Sequence, residues 1–197
     1  MAAGIAIILL AAGASSRMRG RDKLLERIGG EPLLPRQTRA AIAASDKVYV
    51  VLDSGNSARA ELLRGFDVEI VPVAPRLGMS DSIAAGVAAL PQDIGGIVVL
   101  PADMPEIGSS EIKKVINVFR QDQSKVCRGS TTDGIPGHPV VFPARLRPAL
   151  VNLSGDDGAK SLLMEEDVRL VALPGNVAIT DLDTPEEWDD WRRAQDF

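Results

Sequence analysis

Unbroken apolar runs alternate along the chain with stretches of helical spacing. Ile5 to Leu10 is apolar at every position. A strand sustains that only when both faces are covered, as in a parallel sheet. Lys47 to Leu52, Val68 to Val73, Gly96 to Leu100, Lys125 to Arg128 and Val168 to Leu173 read as further strands. Between them, Pro35 to Ala44 is an Ala-rich helix, and Ser57 to Arg64 a short helix stopped by Gly65. A third helix runs to Leu90 with Ser80 as its N-cap. In Ser109 to Gln121, Ile112, Val115, Ile116 and Phe119 share one face and are predicted core. Ser154 to Leu163 is a turn entering a helix. Thr184, Pro185 and Glu187 form a capping box with proline at the first helical position, and Trp188 and Trp191 dock the helix that follows. Strands alternating with helices predict an α/β domain with a mainly parallel sheet.

Gly29-Gly30 marks a turn after the weakly alternating Lys23 to Ile28. The stretch from Gly129 to Gly137 is so rich in turn residues that it is expected to be mobile or ligand-facing. The 197 residues fit one domain, residues 1–197. The net charge of −5 argues against a nucleic-acid partner. No apolar run approaches the roughly 20 residues that span a bilayer, and no secretory signal is evident. The lone Cys127 excludes an internal disulfide or a cysteine zinc cluster and is expected to be a small core residue. A reducing cytoplasm fits this composition.

The chemistry begins where the first strand ends. Leu10, Ala11, Ala12, Gly13, Ala14 and Ser15 are small or apolar, and Gly13 can take a positive φ at little steric cost. Bare N–H groups in such a loop form an anion-binding concavity. Arg17 adds a fork of donors and Lys23 a point charge. The combination suggests a triphosphate site, with a tight connection carrying two solvated cations as the alternative. The dinucleotide fingerprint is absent, since only Gly13 and Gly20 are present and Asp53 lies too far along. A Walker A loop is absent too, because Arg21 follows Gly20.

The string Leu10-Ala11-Ala12-Gly13-Ala14-Ser15-Ser16-Arg17-Met18, with Lys23 six residues after Arg17, resembles the signature loop of nucleotidyltransferases with a GT-A-like fold. It is most similar to the molybdenum cofactor cytidylyltransferases and their guanylyltransferase relatives. Ala12 and Ser15 follow the cytidylyl branch, whereas Arg19 departs from the glycine the family commonly has after Arg-Met. The resemblance extends through five motifs from Leu10 to Glu187. It implies a Rossmann-like three-layer fold.

Taken alone, each remaining motif has two readings. Gly78-Met79-Ser80-Asp81-Ser82 is either a capped helix start or, as the resemblance implies, nucleotide contacts from Gly78, Ser80 and Ser82. Asp103, between Pro101 and Pro105 at the end of a central strand where α/β sheets place their ligands, is a turn aspartate or, as the resemblance implies, a ligand of magnesium. His138 is a general base or a hydrogen-bonded structural histidine; the resemblance puts Gly137 and His138 on the second-substrate side. Asp156 and Asp157 can complement a helix dipole, while the family's similar segment brings Lys160 to an acceptor phosphate. Asp181 and Asp183 point the same way in an extended segment. The resemblance makes Asp181 the second metal ligand, with Asp183 as alternate.

The implied reaction moves CMP from CTP to a phosphate-bearing molybdenum-pterin cofactor, with pyrophosphate released and a recipient molybdoenzyme as a further partner. Arg17, Lys23 and Asp103 would carry catalysis, with Mg2+ as cofactor. Guanylyl or sugar-phosphate transfer on the same fold, and a non-catalytic cofactor carrier, are the rivals. A dinucleotide oxidoreductase is disfavoured by the missing glycines.

Overall fold

The computed structural model describes residues 4–45, 47–75 and 78–195. The elements in order are β1 (Gly4–Ala11), the small hairpin β2 (Arg27–Ile28) and β3 (Glu31–Pro32), α1 (Leu33–Ala44), β4 (Lys47–Asp53) and α2 (Ser57–Leu62). Then come β5 (Glu69–Val73), α3 (Met79–Ala89), β6 (Ile94–Pro101), α4 (Ser109–Gln121), β7 (Val126–Ser130) and β8 (Pro136–Pro143). The chain closes with α5 (Arg147–Val151), α6 (Lys160–Glu165), β9 (Val168–Ala172) and α7 (Pro185–Ala194).

Seven strands form one sheet in the order β5-β4-β1-β6-β8-β7-β9. All neighbouring pairs are parallel except that β8 runs against both β6 and β7. The short connection from β7 to β8 imposes that reversal, since a tight hairpin joins only antiparallel strands. The period of two decides which core each residue enters. From β1, Ile5, Ile7 and Leu9 face α1, α4 and α7, while Ala6 and Ile8 face α3, α5 and α6. Both faces of the sheet are therefore covered, giving three layers.

Three expectations shift. α1 starts at Leu33, two residues before Pro35. Proline is tolerated there because N–H groups of the first turn lack intrahelical acceptors anyway. α3 is capped by Gly78 instead of Ser80; Ser80 lies in its first turn and its hydroxyl donates to the Gly158 carbonyl, 3.0 Å away. The flanks of the stretch from Gly129 to Gly137 pair as strands, leaving a tip at residues 131–135. Thr131 closes the tip, its N–H donating to the Ile135 carbonyl and its Oγ1 accepting from the Ile135 N–H. Cys127 is buried, and Trp188 is buried beneath α7 with Trp191 edge-on to it. Among the described residues no helix is long and apolar enough to cross a membrane.

Candidate active site

The carboxyl ends of β1, β4 and β6 open at one edge of the sheet, where α/β folds place their ligands. The loop leaving β1 turns sharply there. Ser15 and Arg19 both have φ of 51° and Gly20 φ of 87°, whereas Gly13 is not left-handed as its sequence suggested. Gly13 instead leaves bare space, for a Cβ on it would meet nothing within 4 Å. A left-handed non-glycine residue costs roughly 1–2 kcal/mol, so the turn at Ser15 needs a brace. That brace is Arg59 of α2, a side chain 2% exposed. Its Nε and Nη2 each donate to Asp22 at 2.7 Å, its Nη1 to the Ala11 carbonyl at 2.6 Å, and Nη2 also to Ser15 Oγ at 3.2 Å. Burial alone would raise the Asp22 carboxyl; the Arg59 guanidinium outweighs it and holds Asp22 below its ordinary value. Ser15 Oγ also accepts from the Lys23 N–H, which brings Lys23 back toward β1.

Lys23 then reaches across to two other segments. Its ammonium pairs with Asp103 and, at 2.8 Å, with Asp183 Oδ1. Arg17 pairs with the other oxygen of Asp183. Burial would lower the Lys23 ammonium, but Asp103 and Asp183 hold it above its usual range. Asp103 is fixed by its neighbours: the Ala102 N–H donates to the Leu10 carbonyl at 3.0 Å, and buried Gln37 donates to the Met104 carbonyl at 2.9 Å. Asp183 is fixed by the capping box, because Glu187 accepts from the N–H groups of both Asp183 and Thr184. The segment ahead of it reaches β8 only because residue 137 is glycine. A Cβ on Gly137 would stand 1.9 Å from the Ala178 carbonyl, which accepts from the His138 N–H at 2.8 Å.

The donor set fits a divalent cation. Asp103, Asp181 and Asp183 gather around one ammonium, and burial together with Asp183 and Asp103 pushes the Asp181 carboxyl up. Among the described residues no three acids, histidines or cysteines form a ready cage; Lys23 lies between Asp103 and Asp183. Magnesium needs no such cage, since it takes one or two carboxylates with phosphate oxygens and waters.

Leu10, Ala12, Gly13, Lys23, Ser82 and Asp103 line one cavity of about 170 Å³. The other predicted nucleotide residues are not brought to its wall. Ala11 gives its carbonyl to Arg59, and Ser15 is tied to Asp22 and Arg59. Ser80 is buried against residues 155–158. Gly78 is there because a Cβ would meet the Gly155 carbonyl at 2.2 Å. Arg76 and Leu77, just before it, lie outside the described residues.

Beside this cavity lie two more. One, of about 280 Å³, is walled by Ile83, Val140, Phe142 and Leu163, with His138 and Lys160 among its polar residues. The other, of about 220 Å³, includes Gly137, His138, Asp103 and Asp181. Burial, with help from Arg128, lowers the His138 pKa to about 4, so the ring is neutral near pH 7. Its Nδ1 is buried without a hydrogen-bond partner.

Residues 7–170 match the MobA-like NTP transferase domain. The chain belongs to the MobA-like NTP transferase family. It is 27% identical to the purine catabolism protein PucB of Bacillus subtilis, over 95% of each chain. It is 35% identical to a probable molybdenum cofactor guanylyltransferase of Synechococcus elongatus, over 53% of this chain and 54% of that protein. Rv0371c of Mycobacterium tuberculosis superposes with a TM-score of 0.84 at 28% identity, covering 100% of both chains. Its structure in complex with manganese superposes at 0.77 with 25% identity, covering 96% of this chain and 97% of that one.

As a MobA-like nucleotidyltransferase, the chain sets its cations against its carboxylates at the mouth of the loop. The sequence singled out Lys23, Arg17, Asp103, Asp181 and Asp183, and the fold brings them together from three segments. It did not single out Asp22, Gln37, Arg59 or Arg128. One signal was available for Arg128. It shares the strand face of Val126, a residue of the core under α3, so a charge there has been placed on a buried side.

Proposed function

We propose that this MobA-like protein transfers CMP from CTP to the phosphate of a molybdenum-bearing pterin, releasing pyrophosphate. The observation that carries nucleotidyl transfer is Lys23 held between Asp103 and Asp183 at the wall of the cavity that Leu10, Ala12 and Gly13 line. An oxygen of the acceptor phosphate attacks the α-phosphorus of the nucleotide in line. The bond from that phosphorus to the bridging oxygen of the β-phosphate breaks, and pyrophosphate leaves with the electron pair. A phosphate is already ionised near pH 7, so no protein base or nucleophile is required, and positioning and charge stabilisation supply the rate. Loop N–H groups, Arg17 and Lys23 hold the triphosphate and steady the leaving pyrophosphate. Asp103, with Asp181 or Asp183, would hold magnesium, which when bound neutralises phosphate charge. A triphosphate draws Lys23 and Arg17 off their carboxylates, freeing those oxygens for the cation.

Ala12 and Ser15 support cytidine. The relative in Synechococcus elongatus, named a probable molybdenum cofactor guanylyltransferase, supports the pterin acceptor and makes GTP the second reading. The test is pyrophosphate release from magnesium with CTP, GTP, ATP or UTP and the molybdenum-loaded pterin. Release with CTP alone is expected. Release with GTP alone transfers the protein to the guanylyl branch. Binding of the pterin without release under any nucleotide would overturn the catalytic reading in favour of a cofactor carrier.

A further inference from the structure

Arg128 differs from the other arginines that reach inward. Arg59 is paired with Asp22 and Arg192 with Glu26, and Arg147 gives both Nη groups to the carbonyls of Val87, Leu90 and Pro91. Half-buried Arg128 has one acceptor, the Gly137 carbonyl 2.8 Å from its Nε. Among the described residues neither Nη has an acceptor and no carboxylate pairs with it. Burial lowers its affinity for the proton. A cation taken partly out of water without a counter-ion is costly and lowers stability. Yet the fold fixes it firmly, since Arg128 pairs in register with Val140 of β8.

Its location gives the reason. Arg128 lines both cavities beside the nucleotide cavity, the apolar one walled by Val140 and Phe142 and the one that reaches Asp103 and Asp181. An acceptor anion approaching a triphosphate among these carboxylates meets like charge from both. A fixed cation must offset that repulsion if the two phosphates are to come within the ~3.5 Å of a near-attack geometry. A guanidinium presents parallel donors matched to a phosphate, which an ammonium does not.

We propose that Arg128 grips the anionic group of the acceptor, holding a phosphate monoester whose flat ring system lies with its faces against Ile83, Val140, Phe142 and Leu163. This rests on the nucleotidyl-transfer reading and assigns that reaction's acceptor a residue and a shape.

The experiment fills the triphosphate loop first, with magnesium and a non-hydrolysable CTP analogue. The molybdenum-loaded pterin phosphate is then titrated by calorimetry into the wild type, Arg128→Gln and Arg128→Lys. Arg128→Gln is expected to weaken pterin binding about 30-fold, the worth of one charge-assisted contact. Arg128→Lys, which keeps the charge and loses the fork, is expected to weaken it about 10-fold on the same grounds. The affinity of each variant for the CTP analogue should stay within about twofold, since Arg128 lines the two neighbouring cavities and not the one at the loop. Unchanged pterin affinity in Arg128→Gln overturns the proposal. Where that variant does not melt cooperatively, unchanged affinity in Arg128→Lys does so. A wild type that binds no pterin phosphate refutes the pterin acceptor and not the anion site. Inorganic phosphate added to the same preloaded protein then decides, read by the 15Nε resonance of Arg128. A saturable shift supports the site, and a resonance that does not move overturns it.

Discussion

The two ends of the catalytic edge handle charge in opposite ways. At the loop, each central cation is matched: Arg59 by Asp22, Lys23 by Asp103 and Asp183, and Arg17 by Asp183. At the neighbouring cavities, Arg128 has a carbonyl and no acid, and His138 keeps a buried Nδ1 without a partner. Exchange of partners is available at the first end, because a triphosphate and a divalent cation can each replace what the other displaces. At the second end an anionic guest adds a partner where none exists. Affinity at the loop is therefore a difference between two well-satisfied states, while affinity at the acceptor side is set by relieving one poorly satisfied state.

The largest test of the loop end is Asp103→Ala. Removing a group that stabilises developing charge should lower turnover by roughly 10²–10³-fold or more. Its thermal unfolding should stay cooperative, because Asp103 is only partly buried and lies outside both cores. Lys23→Met should cost a comparable factor. It should also strengthen binding of Mn2+ alone, measured by electron paramagnetic resonance, because the ammonium no longer neutralises Asp103 and Asp183. Unchanged Mn2+ affinity in Lys23→Met would break the exchange picture even if turnover fell.

Arg59→Ala comes next. Losing one partner of a buried pair leaves the other uncompensated and should destabilise the fold by about 3 kcal/mol, read by urea unfolding. The KM for nucleotide should rise while binding of the pterin is spared, because Arg59 braces the loop alone. Arg59→Lys restores charge without the fork and should recover only part of the loss.

Arg59 also shows what the chain does and does not disclose on its face. The central strands were legible because buried parallel strands need continuous apolar runs, and the order of motifs because it resembles that of a known family. Lys23, Asp103 and Asp183 could be picked out residue by residue. Arg59 could not, since in Ser57 to Arg64 it reads as a solvated charge on a short helix. Its role depends on Asp22 lying 37 residues earlier and on a left-handed turn at Ser15, neither of which is a local pattern. Ser80 misled for the converse reason. A serine at a helix start is usually a cap, but Gly78 is needed for close approach to Gly155 and takes the cap position, so the Ser80 hydroxyl is free to bind Gly158.

Acid separates the two ends more finely. Asp22 has a carboxyl depressed mainly by Arg59 against the effect of burial. Its contribution is complete above the unfolded carboxylate value near 4 and is lost as pH falls through the lower folded value. His138 acts higher. Its folded pKa is about 4 against an ordinary 6.5, with burial the main cause and Arg128 the next. Between those values the unfolded chain holds the extra proton, so stability should fall steadily as pH drops from 6.5 toward 4. His138→Gln should flatten that upper limb and leave the lower one. Arg128→Gln should raise the His138 pKa, followed by NMR of the ring, and narrow the limb. An upper limb that persists unchanged in His138→Gln would remove the histidine from the account.

The smallest effect expected is at the cap behind Asp183. Thr184 accepts from the Glu187 N–H, and Glu187 in return accepts from the N–H groups of Asp183 and Thr184. Replacing an N-cap threonine by alanine typically costs about 1 kcal/mol, so Thr184→Ala should lower thermal stability only slightly. The same cap aims Asp183 at Lys23 and Arg17, however, so a small loss of stability should come with a larger loss of Mn2+–nucleotide affinity. Pterin binding should remain unchanged, because the 137–178 contact that positions the acceptor side lies upstream of the cap. Equal losses at both sites would mean that the 178–183 segment moves as one piece, and the two ends would then share a single support.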